Sequence, residues 1–309
     1  MRTGAVISAA GHKSSVSTFD PLMPIGQTTV IRRIIMTLKH CGVDPIVVIT
    51  GKDAKTVEKH ISKLRVICLR NTAYESSQML DSVGIGLRYL EDLCDRILIM
   101  PVKFPRLLPD TIKKVMESGS KIACPVFEGR RGHPALIDKT VISSVLSYRG
   151  EGGLRGLFKQ ETFNGLMEEI LVEDKGIIEP IETDQDTKFQ PYTDFPVMHP
   201  SASLYLEFDE VFFGPDMAQF LMLIEHTGSM QTACCQMNMS YSKGFKLLRG
   251  AEKQLGFPLL ITQSGGAEGG FSKLTPKAAD LLQRFLLMEK ELSKKAEELF
   301  DQYFKEVLL

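Results

Sequence analysis

One lysine stands where a predicted buried strand ends, in the segment RILIMPVKFPRLLPD at residues 96–110. In an open α/β sheet, ligands and catalytic groups collect at the carboxyl ends of the strands. A carboxylate at such a position could hold a metal ion beside a phosphate, whereas the ammonium of Lys103 would repel a metal ion and attract an anion. Lys103 is therefore a candidate anion contact, and the alternative interpretation is a solvated lysine at a strand end.

A turn of small residues follows the first predicted strand, at Ala9, Ala10 and Gly11. Such a turn lets backbone N–H groups approach a phosphate, although tight packing between a strand and a helix also selects small residues. Lys13 adds a cation to the same loop. The turn predicts phosphate binding only together with the segments that follow it along the chain.

Later segments supply further polar side chains, and each has a structural alternative. Asp81 and Ser82 could cap the helix that follows them. His133 could fix the loop before Pro134, and Arg155 could pair with a surface acid. No histidine or cysteine has the spacing of a metal ligand set, so no metal site is predicted. The predicted ligand contacts are Ala9, Ala10, Gly11, Lys13, Asp81, Ser82, Lys103, Gly132, His133, Arg155 and Glu182.

The elements that position these residues alternate between short β-branched runs and amphipathic helical patterns, from residue 4 to about 175. This alternation predicts an α/β Rossmann-like domain with a mostly parallel sheet covered on both faces. After residue 204 the pattern becomes mainly helical, and the prolines and weak periodicity around 183–203 indicate a linker. The predicted domains are residues 1–187 and 206–309, joined by a linker at 188–205.

The first of these domains resembles a known family. In this order, the segments SAAG, RNTAYESSQMLDSVGIGL, PVKFPRLLPDTI, RGHP and GGLRGL are similar to those of MobA-like nucleotidyltransferases, in particular molybdenum cofactor cytidylyltransferases. The resemblance spans about residues 4–187. It implies a nucleotidyltransferase-type fold, transfer of a nucleotide to a phosphate acceptor with release of pyrophosphate, and Mg²⁺ held by carboxylates. It also implies CTP, GTP or a molybdopterin-type pterin as candidate ligands.

Several residues that this family uses for catalysis are replaced in this chain. The family loop A-A-G-x-S-x-R-M-G-x-x-K places its arginine at Ser15 and its lysine at Asp20. The metal-binding aspartate of the family falls at Lys103, and its second acidic site leaves Glu182 as the candidate carboxylate. The resemblance therefore implies a degenerate domain that senses a ligand, with Mg²⁺ needed only if transfer survives.

Residues 240–277 are locally basic within a chain of formal net charge −1. They follow two predicted helices and precede a hairpin and a long helix that begins at Pro276. In the third helix, the residues predicted to face the core are Tyr241, Phe245, Leu248 and Leu255, with basic residues opposite. This order predicts a winged helix-turn-helix that binds double-stranded DNA, and its alternative is a solvated lysine face. The predicted DNA contacts are Ser229, Gln231, Ser240, Tyr241, Ser242, Lys243, Lys246, Arg249, Lys253 and Lys273.

Residues 208–300 resemble the N-terminal DNA-binding domain of ModE-type molybdate regulators, which is related to LysR-type domains. The matching segments are FGPDMAQFLMLIEHTGSMQTACCQMNMSYSKGFKLL, SGGAEGG and LTPKAADLL. The resemblance implies molybdate as a further candidate ligand, and the long last helix predicts a homodimer. One departure lies at the hairpin tip, where Ala267 and Glu268 stand among glycines that usually include a lysine in this family.

Three functions fit these observations. The first is a DNA-binding transcriptional regulator, linked to molybdenum or molybdopterin metabolism, whose first domain senses a ligand. The second is an active cofactor nucleotidyltransferase that also binds DNA, and the third is an accessory protein that docks on a cofactor-maturation enzyme. The chain has no run of 18 apolar residues, no signal-peptide pattern and six scattered cysteines, which predicts a cytoplasmic protein with no membrane contact.

Overall fold

The computed structural model of the chain describes residues 1–11, 19–163, 165–183, 186, 200, 202–237, 239–263 and 271–304. The chain divides into two compact units, Met1–Asp194 and Phe195–Leu309. Among the helices of the described residues, none combines the length and the apolar character needed to cross a membrane. Lys13 and Ser15, the greater part of the predicted linker, and the hairpin tip with Ala267 and Glu268 lie outside the described residues.

The first unit alternates strands with helices, as its sequence pattern predicts. Its strands are β1 Thr3–Ala9, β2 Pro24–Ile25, β3 Thr28–Thr29, β4 Ile46–Thr50, β5 Ile67–Arg70, β6 Arg96–Pro101, β7 Ile122–Phe127, β8 Arg130–Arg131, β9 Ala135–Asp138 and β10 Met167–Leu171. Its helices are α1 Val30–His40, α2 Ala54–Ile61, α3 Met79–Leu90, α4 Pro109–Glu117, α5 Ile142–Ser147 and α6 Gly153–Leu157. Short 3₁₀ turns occur at Ser62–Leu64, Lys139–Val141, Glu161–Phe163 and Lys175–Ile177.

The main sheet is mostly parallel. Its strands lie in the order β10-β7-β9-β6-β1-β4-β5, with β8 added to β7. Strand β9 is antiparallel to both of its neighbours, and the other strands along this path pair in parallel. All five residues of β4 are buried, because helices cover both faces of a parallel sheet. The prediction of an α/β unit with a mostly parallel sheet is confirmed.

The second unit is mainly helical. It contains a short hairpin of β11 Leu206–Glu207 and β12 Val211–Phe213, followed by α7 Pro215–Thr227, α8 Met230–Gln236 and α9 Tyr241–Leu255. A second hairpin of β13 Leu260–Gln263 and β14 Phe271–Leu274 leads into α10 Pro276–Phe304. The ring of Phe213 lies 4.9 Å from that of Phe285, which anchors the first half of α10 in the core of this unit.

The buried face of α9 differs from the predicted one. Gly244, Leu248 and Ala251 are buried, whereas Tyr241 and Phe245 are 53% and 41% exposed, so the prediction that both aromatic residues face the core is wrong. The reason is the close approach of α9 to its neighbours: a Cβ added at Gly244 would lie only 2.4 Å from a sulfur atom of α8. Small residues therefore determine the contact face, and the aromatic pair is left at its edge.

Candidate functional site

The candidate site of the first unit lies where the carboxyl ends of three neighbouring strands meet. The backbone N–H of Val102, after β6, donates to the carbonyl of Ser8 in β1 at 3.1 Å. After β4, the N–H of Lys52 donates to the carbonyl of Ala10 at 2.9 Å. Gly11 follows with φ of +94°, a conformation that glycine adopts without steric cost. The predicted loop Ala9–Gly11 follows β1, and Lys103 follows the neighbouring strand β6. Both therefore lie at the same edge of the sheet.

Lys103 forms an ion pair with Glu182. The Lys103 Nζ atom lies 2.6 Å from Glu182 Oε2 and 5.4 Å from the centroid of the Phe19 ring. The backbone carbonyl of Lys103 accepts a hydrogen bond from the N–H of Ile181 at 2.7 Å, which holds the two chain segments together. The Lys103 side chain is 28% exposed and that of Glu182 is 46% exposed. The structure thus brings together two predicted ligand contacts as partners of each other.

The segment that carries Glu182 is fixed by the side chain of Asp186. One Asp186 carboxylate oxygen accepts the backbone N–H groups of Glu182 at 2.9 Å and Thr183 at 2.8 Å. These hydrogen bonds, the one from Glu182 first, lower the pKa of Asp186 despite the opposing effect of burial. Arg106 in turn donates to the carbonyl of Asp186 and lies 3.7 Å from Glu179. The hydrogen bonds of Asp186 therefore hold Glu182 beside Lys103.

The Mg²⁺ ion implied by the family does not fit the residues at this edge. Mg²⁺ prefers carboxylate and other oxygen ligands, yet the position expected to supply one carries an ammonium. The Glu182 carboxylate is already paired with that ammonium. Across the part of the chain that the structure describes, no group of three Asp, Glu, His or Cys side chains could hold a metal ion. A dication beside Lys103 would face direct charge repulsion in a partly buried site.

Asp81 and Ser82 shape the loop before α3. The Asp81 carboxylate accepts the backbone N–H of Gln78 at 2.8 Å and closes a capping box. The Ser82 hydroxyl accepts a hydrogen bond at 2.9 Å from the amide of Asn71, a buried residue that also accepts the N–H of Ala73. Asp81 thus caps α3, whereas Ser82 pairs with the side chain of Asn71, and a ligand contact by either residue stays a prediction. Asn71 was not predicted, because a single asparagine after a strand carries no distinctive pattern.

Gly132 and His133 lie beside the segment that leads to Glu182. A Cβ at Gly132 would lie 2.5 Å from the carbonyl oxygen of Ile177, so the close approach of two backbones requires glycine here. The N–H of His133 donates to the same carbonyl at 3.0 Å, and its ring centroid lies 4.6 Å from that of Phe104. The His133 Nδ1 atom is buried and has no hydrogen-bond partner among the described residues. Arg155 lies apart from this contact, exposed on α6.

The imidazole of His133 should make the stability of the protein depend on pH. Burial lowers the pKa of His133 from 6.5 to about 4. Between these two values the unfolded chain binds a proton that the folded chain does not, so the free energy of unfolding should fall as the pH decreases through this window. One proton contributes at most about 1.4 kcal/mol per pH unit. Urea titrations of the wild type and His133→Leu at several pH values measure this slope, and equal slopes in both proteins would contradict the assignment.

The second unit presents a basic surface along α9. Ser229 caps α8 by accepting the N–H of Thr232, and Ser240 caps α9 by accepting the N–H of Lys243, both at 3.2 Å. The exposed residues of this surface are Tyr241, Ser242, Lys243, Phe245, Lys246, Arg249 and Lys253. Gln231 on α8 and Lys273 on β14 are exposed as well.

The Arg249 side chain is the most constrained cation of this surface. Its Nη1 atom lies 2.8 Å from Glu252 Oε2, and its guanidinium carbon lies 5.1 Å from the centroid of the Phe245 ring. The Tyr241 and Phe245 rings are stacked, with centroids 6.4 Å apart and planes inclined by 18°. These contacts arrange Tyr241, Phe245 and Arg249 as a ladder along the exposed edge of α9, a feature that the sequence did not reveal.

Comparison with solved structures shows the fold of the first unit. A nucleotidyl transferase from Methanothermobacter thermautotroptrophicus superposes with a TM-score of 0.52 at 22% identity, over 60% of this chain and 94% of the other. Rv0371c from Mycobacterium tuberculosis H37Rv superposes with a TM-score of 0.52 at 19% identity, over 60% and 95% of the two chains. No curated protein matches the sequence.

The sequence of the first unit identifies its family. Residues 5–164 match the family model described as the MobA-like NTP transferase domain. This range contains the loop Ala9–Gly11, Lys103 and His133, and it makes up more than half of the 309 residues. The chain therefore belongs to the MobA-like NTP transferase domain family.

Proposed function

We propose that this protein is a DNA-binding transcriptional regulator, linked to molybdenum or molybdopterin metabolism, whose MobA-like unit binds a regulatory ligand. The observation that carries the proposal is the exposed basic face of α9, the helix that follows the short helix α8. Lys243, Lys246, Arg249 and Lys253 are all exposed along this one helix. Clustered Lys and Arg side chains on one helix face are the electrostatic footprint of a phosphate-backbone partner.

The elements around α9 support a winged helix-turn-helix. Helices α8 and α9 are separated by residues 237–240, and the hairpin of β13 and β14 follows α9. The N–H of Ser272 in this hairpin donates to the carbonyl of Gly228, immediately before α8, at 2.7 Å. The N–H of Leu259 donates to Glu252 in α9 at 2.8 Å. The hairpin is thus joined to the turn between α7 and α8, and the residue before the hairpin is joined to α9, which supports a wing beside the recognition helix.

The positions along α9 assign separate roles to its polar residues. Ser242, Lys243 and Lys246 lie in the first two turns, which in a helix-turn-helix reach the base edges in the major groove. Arg249 and Lys253 lie further along, where a phosphate contact is the proposed role of each. The aromatic ladder beside them provides apolar surface of the kind that contacts thymine methyl groups.

The proposal is tested by titrating the full-length protein into labelled duplexes. One duplex carries the region upstream of the protein's own gene and a second carries a random sequence of equal length. We expect binding to the first duplex to be tighter, with log K falling linearly as log salt increases between about 50 and 200 mM. Absence of binding to both duplexes at the lowest salt concentration would overturn the proposal.

Active nucleotidyl transfer is the second candidate function, and membership of the MobA-like family favours it. The ion pair between Lys103 and Glu182 argues against transfer. The two positions expected to bind a metal ion carry side chains that bind each other instead. CTP, GTP and a molybdopterin-type pterin would be substrates under this alternative, with Mg²⁺ as the metal. Under the regulator proposal the same compounds, or molybdate, are candidate ligands of the first unit.

The proposed regulator is a homodimer joined through the second half of α10. In the first half, Ala278, Leu282 and Phe285 are buried in the unit. The same face of the helix continues at Leu292, Leu299 and Tyr303, which are 36%, 40% and 66% exposed. A second copy that supplies the same stripe would cover this surface, since helices with apolar residues at such spacing associate in pairs.

Two charges on this stripe should separate the dimer. Leu292→Glu combined with Leu299→Glu places carboxylates in the proposed interface, so we expect monomers in sedimentation velocity. The control is Leu287→Glu, because Leu287 is 58% exposed and lies on the opposite side of α10. The control should sediment like the wild type. A fully dimeric double variant would place the interface elsewhere.

A further inference from the structure

We propose that the pair of Lys103 and Glu182 is a metal-independent phosphate site, held closed by an internal carboxylate that a phosphate-bearing ligand displaces. This inference rests on the proposed function, because it states how the first unit would detect its ligand. The site is built from residues 79 positions apart in the sequence, brought to 2.6 Å by the fold. Its ligand class is a compound with a di- or triphosphate group.

The ammonium of Lys103 is positioned to receive an anion. The backbone at Lys103 is fixed on both sides, since the N–H of Val102 donates to the carbonyl of Ser8 and the carbonyl of Lys103 accepts from the N–H of Ile181. The strand before it neighbours β1, whose end carries the small-residue turn at Ala9–Gly11. Backbone N–H groups in such a turn, together with a fixed ammonium, provide the donors and the charge that a phosphate chain requires. Because the cation is covalently part of the chain, no metal ion is needed to supply it.

The carboxylate of Glu182 is suited to yield to a ligand. Its side chain is 46% exposed, so water can solvate the carboxylate after it leaves Lys103. Ion pairs at this exposure contribute little to stability, which makes exchange for another anion inexpensive. A terminal phosphate carries more negative charge and more acceptor oxygens than a carboxylate, and Lys103 can donate up to three hydrogen bonds. The phosphate therefore competes favourably for the same ammonium.

Displacement of Glu182 from Lys103 would loosen the residues that Asp186 holds together at the end of the first unit. Glu182, Thr183 and Asp186 form one turn through the Asp186 carboxylate. The turn is joined to Lys103 by the ion pair and by the hydrogen bond from Ile181. Release of the ion pair removes one of these two connections, so the occupancy of the phosphate site changes how firmly this turn is held.

Isothermal titration of inorganic tripolyphosphate into the full-length protein, with EDTA present, tests the inference. The wild type should bind without a metal ion, and added Mg²⁺ should leave the affinity unchanged or reduce it, because Mg²⁺ neutralises the probe. Glu182→Gln removes the competing charge and should tighten binding about tenfold. Lys103→Gln should abolish measurable binding. Glu91→Gln is the matched control, since Glu91 is exposed at the end of α3 and this variant removes the same charge, and it should bind like the wild type.

Three results would overturn the inference: no binding by the wild type in EDTA, binding that appears only with Mg²⁺, or equal affinities of the wild type and Glu182→Gln. The same preparations are titrated with DNA in parallel. Intact DNA binding alongside any of these results would reject the phosphate site and leave the regulator proposal standing. If the wild type does not bind DNA, the regulator proposal is rejected, whatever the tripolyphosphate result.

Discussion

Lys246→Ala should lower the affinity of the protein for its specific DNA site by about 5- to 150-fold, while its affinity for random DNA changes far less. Lys246 is exposed in the second turn of α9, on the face opposite the buried residues Gly244, Leu248 and Ala251. A base contact of good geometry discriminates by about 1–3 kcal/mol, which corresponds to this range. The ratio of specific to random affinity is the measured quantity, and it should collapse.

Arg249→Ala should act differently from Lys246→Ala, because we propose that Arg249 contacts a phosphate. Its loss should weaken both duplexes alike and reduce the salt slope by roughly one unit per protomer. The loss of affinity should be smaller than for an unpaired arginine, because Glu252, at 2.8 Å, already neutralises part of the charge of Arg249. Lys290→Ala is the control: it removes the same charge from an exposed position on α10. If neither α9 variant differs from this control, α9 is a solvated lysine face.

Pyrophosphate release from CTP or GTP, with molybdopterin and Mg²⁺, should be at least about a thousandfold slower than enzymatic transfer, because the electrostatic stabilisation of the transferred phosphate is missing. The resemblance implies that Lys103 stands where the family has a metal-binding aspartate, and Glu182 is bound to Lys103. The arginine and lysine positions of the family loop hold Ser15 and Asp20. Several charges of the transfer site are therefore replaced together, and a coupled pyrophosphate assay measures the consequence.

The variant Lys103→Asp separates metal binding from catalysis. It should increase Mg²⁺ affinity in calorimetry, because two carboxylates then face each other across the former ion pair. It should recover little transfer, since the replaced loop positions are untouched. Enzyme-like release of pyrophosphate by the wild type would show that the unit is an active transferase and that the sensor interpretation is wrong.

The fold of the first unit could be predicted because its strands have an unambiguous pattern. The β4 residues Ile46–Thr50 are all buried, as a continuous apolar run between two helical patterns indicates. The antiparallel direction of β9, Ala135–Asp138, could not be predicted, because a four-residue apolar run carries no information about direction. Its insertion between β6 and β7 is decided by tertiary pairing.

The candidate sites were predictable only as separate residues. Lys103 and Glu182 were each identified, yet their pairing depends on a fold that joins positions 79 residues apart. On α9, the apolar spacing of Tyr241 and Phe245 suggested burial, but the space is taken by neighbours that approach at Gly244. Side-chain periodicity predicts which residues share a face, whereas the sizes of the smallest residues determine which face the neighbouring helices contact.

Selection of binding sites from a pool of random duplexes is the most direct test of the claim that this protein reads DNA sequence. The full-length wild type should enrich one motif, arranged as two inverted half-sites about one helical turn apart, because in the proposed dimer each copy would present one α9 helix to the major groove. The Lys246→Ala protein, passed through the same selection, should lose the preference at the base pairs that Lys246 contacts. Recovery of sequences that stay random through successive rounds, from a protein that still binds the pool, would contradict the account.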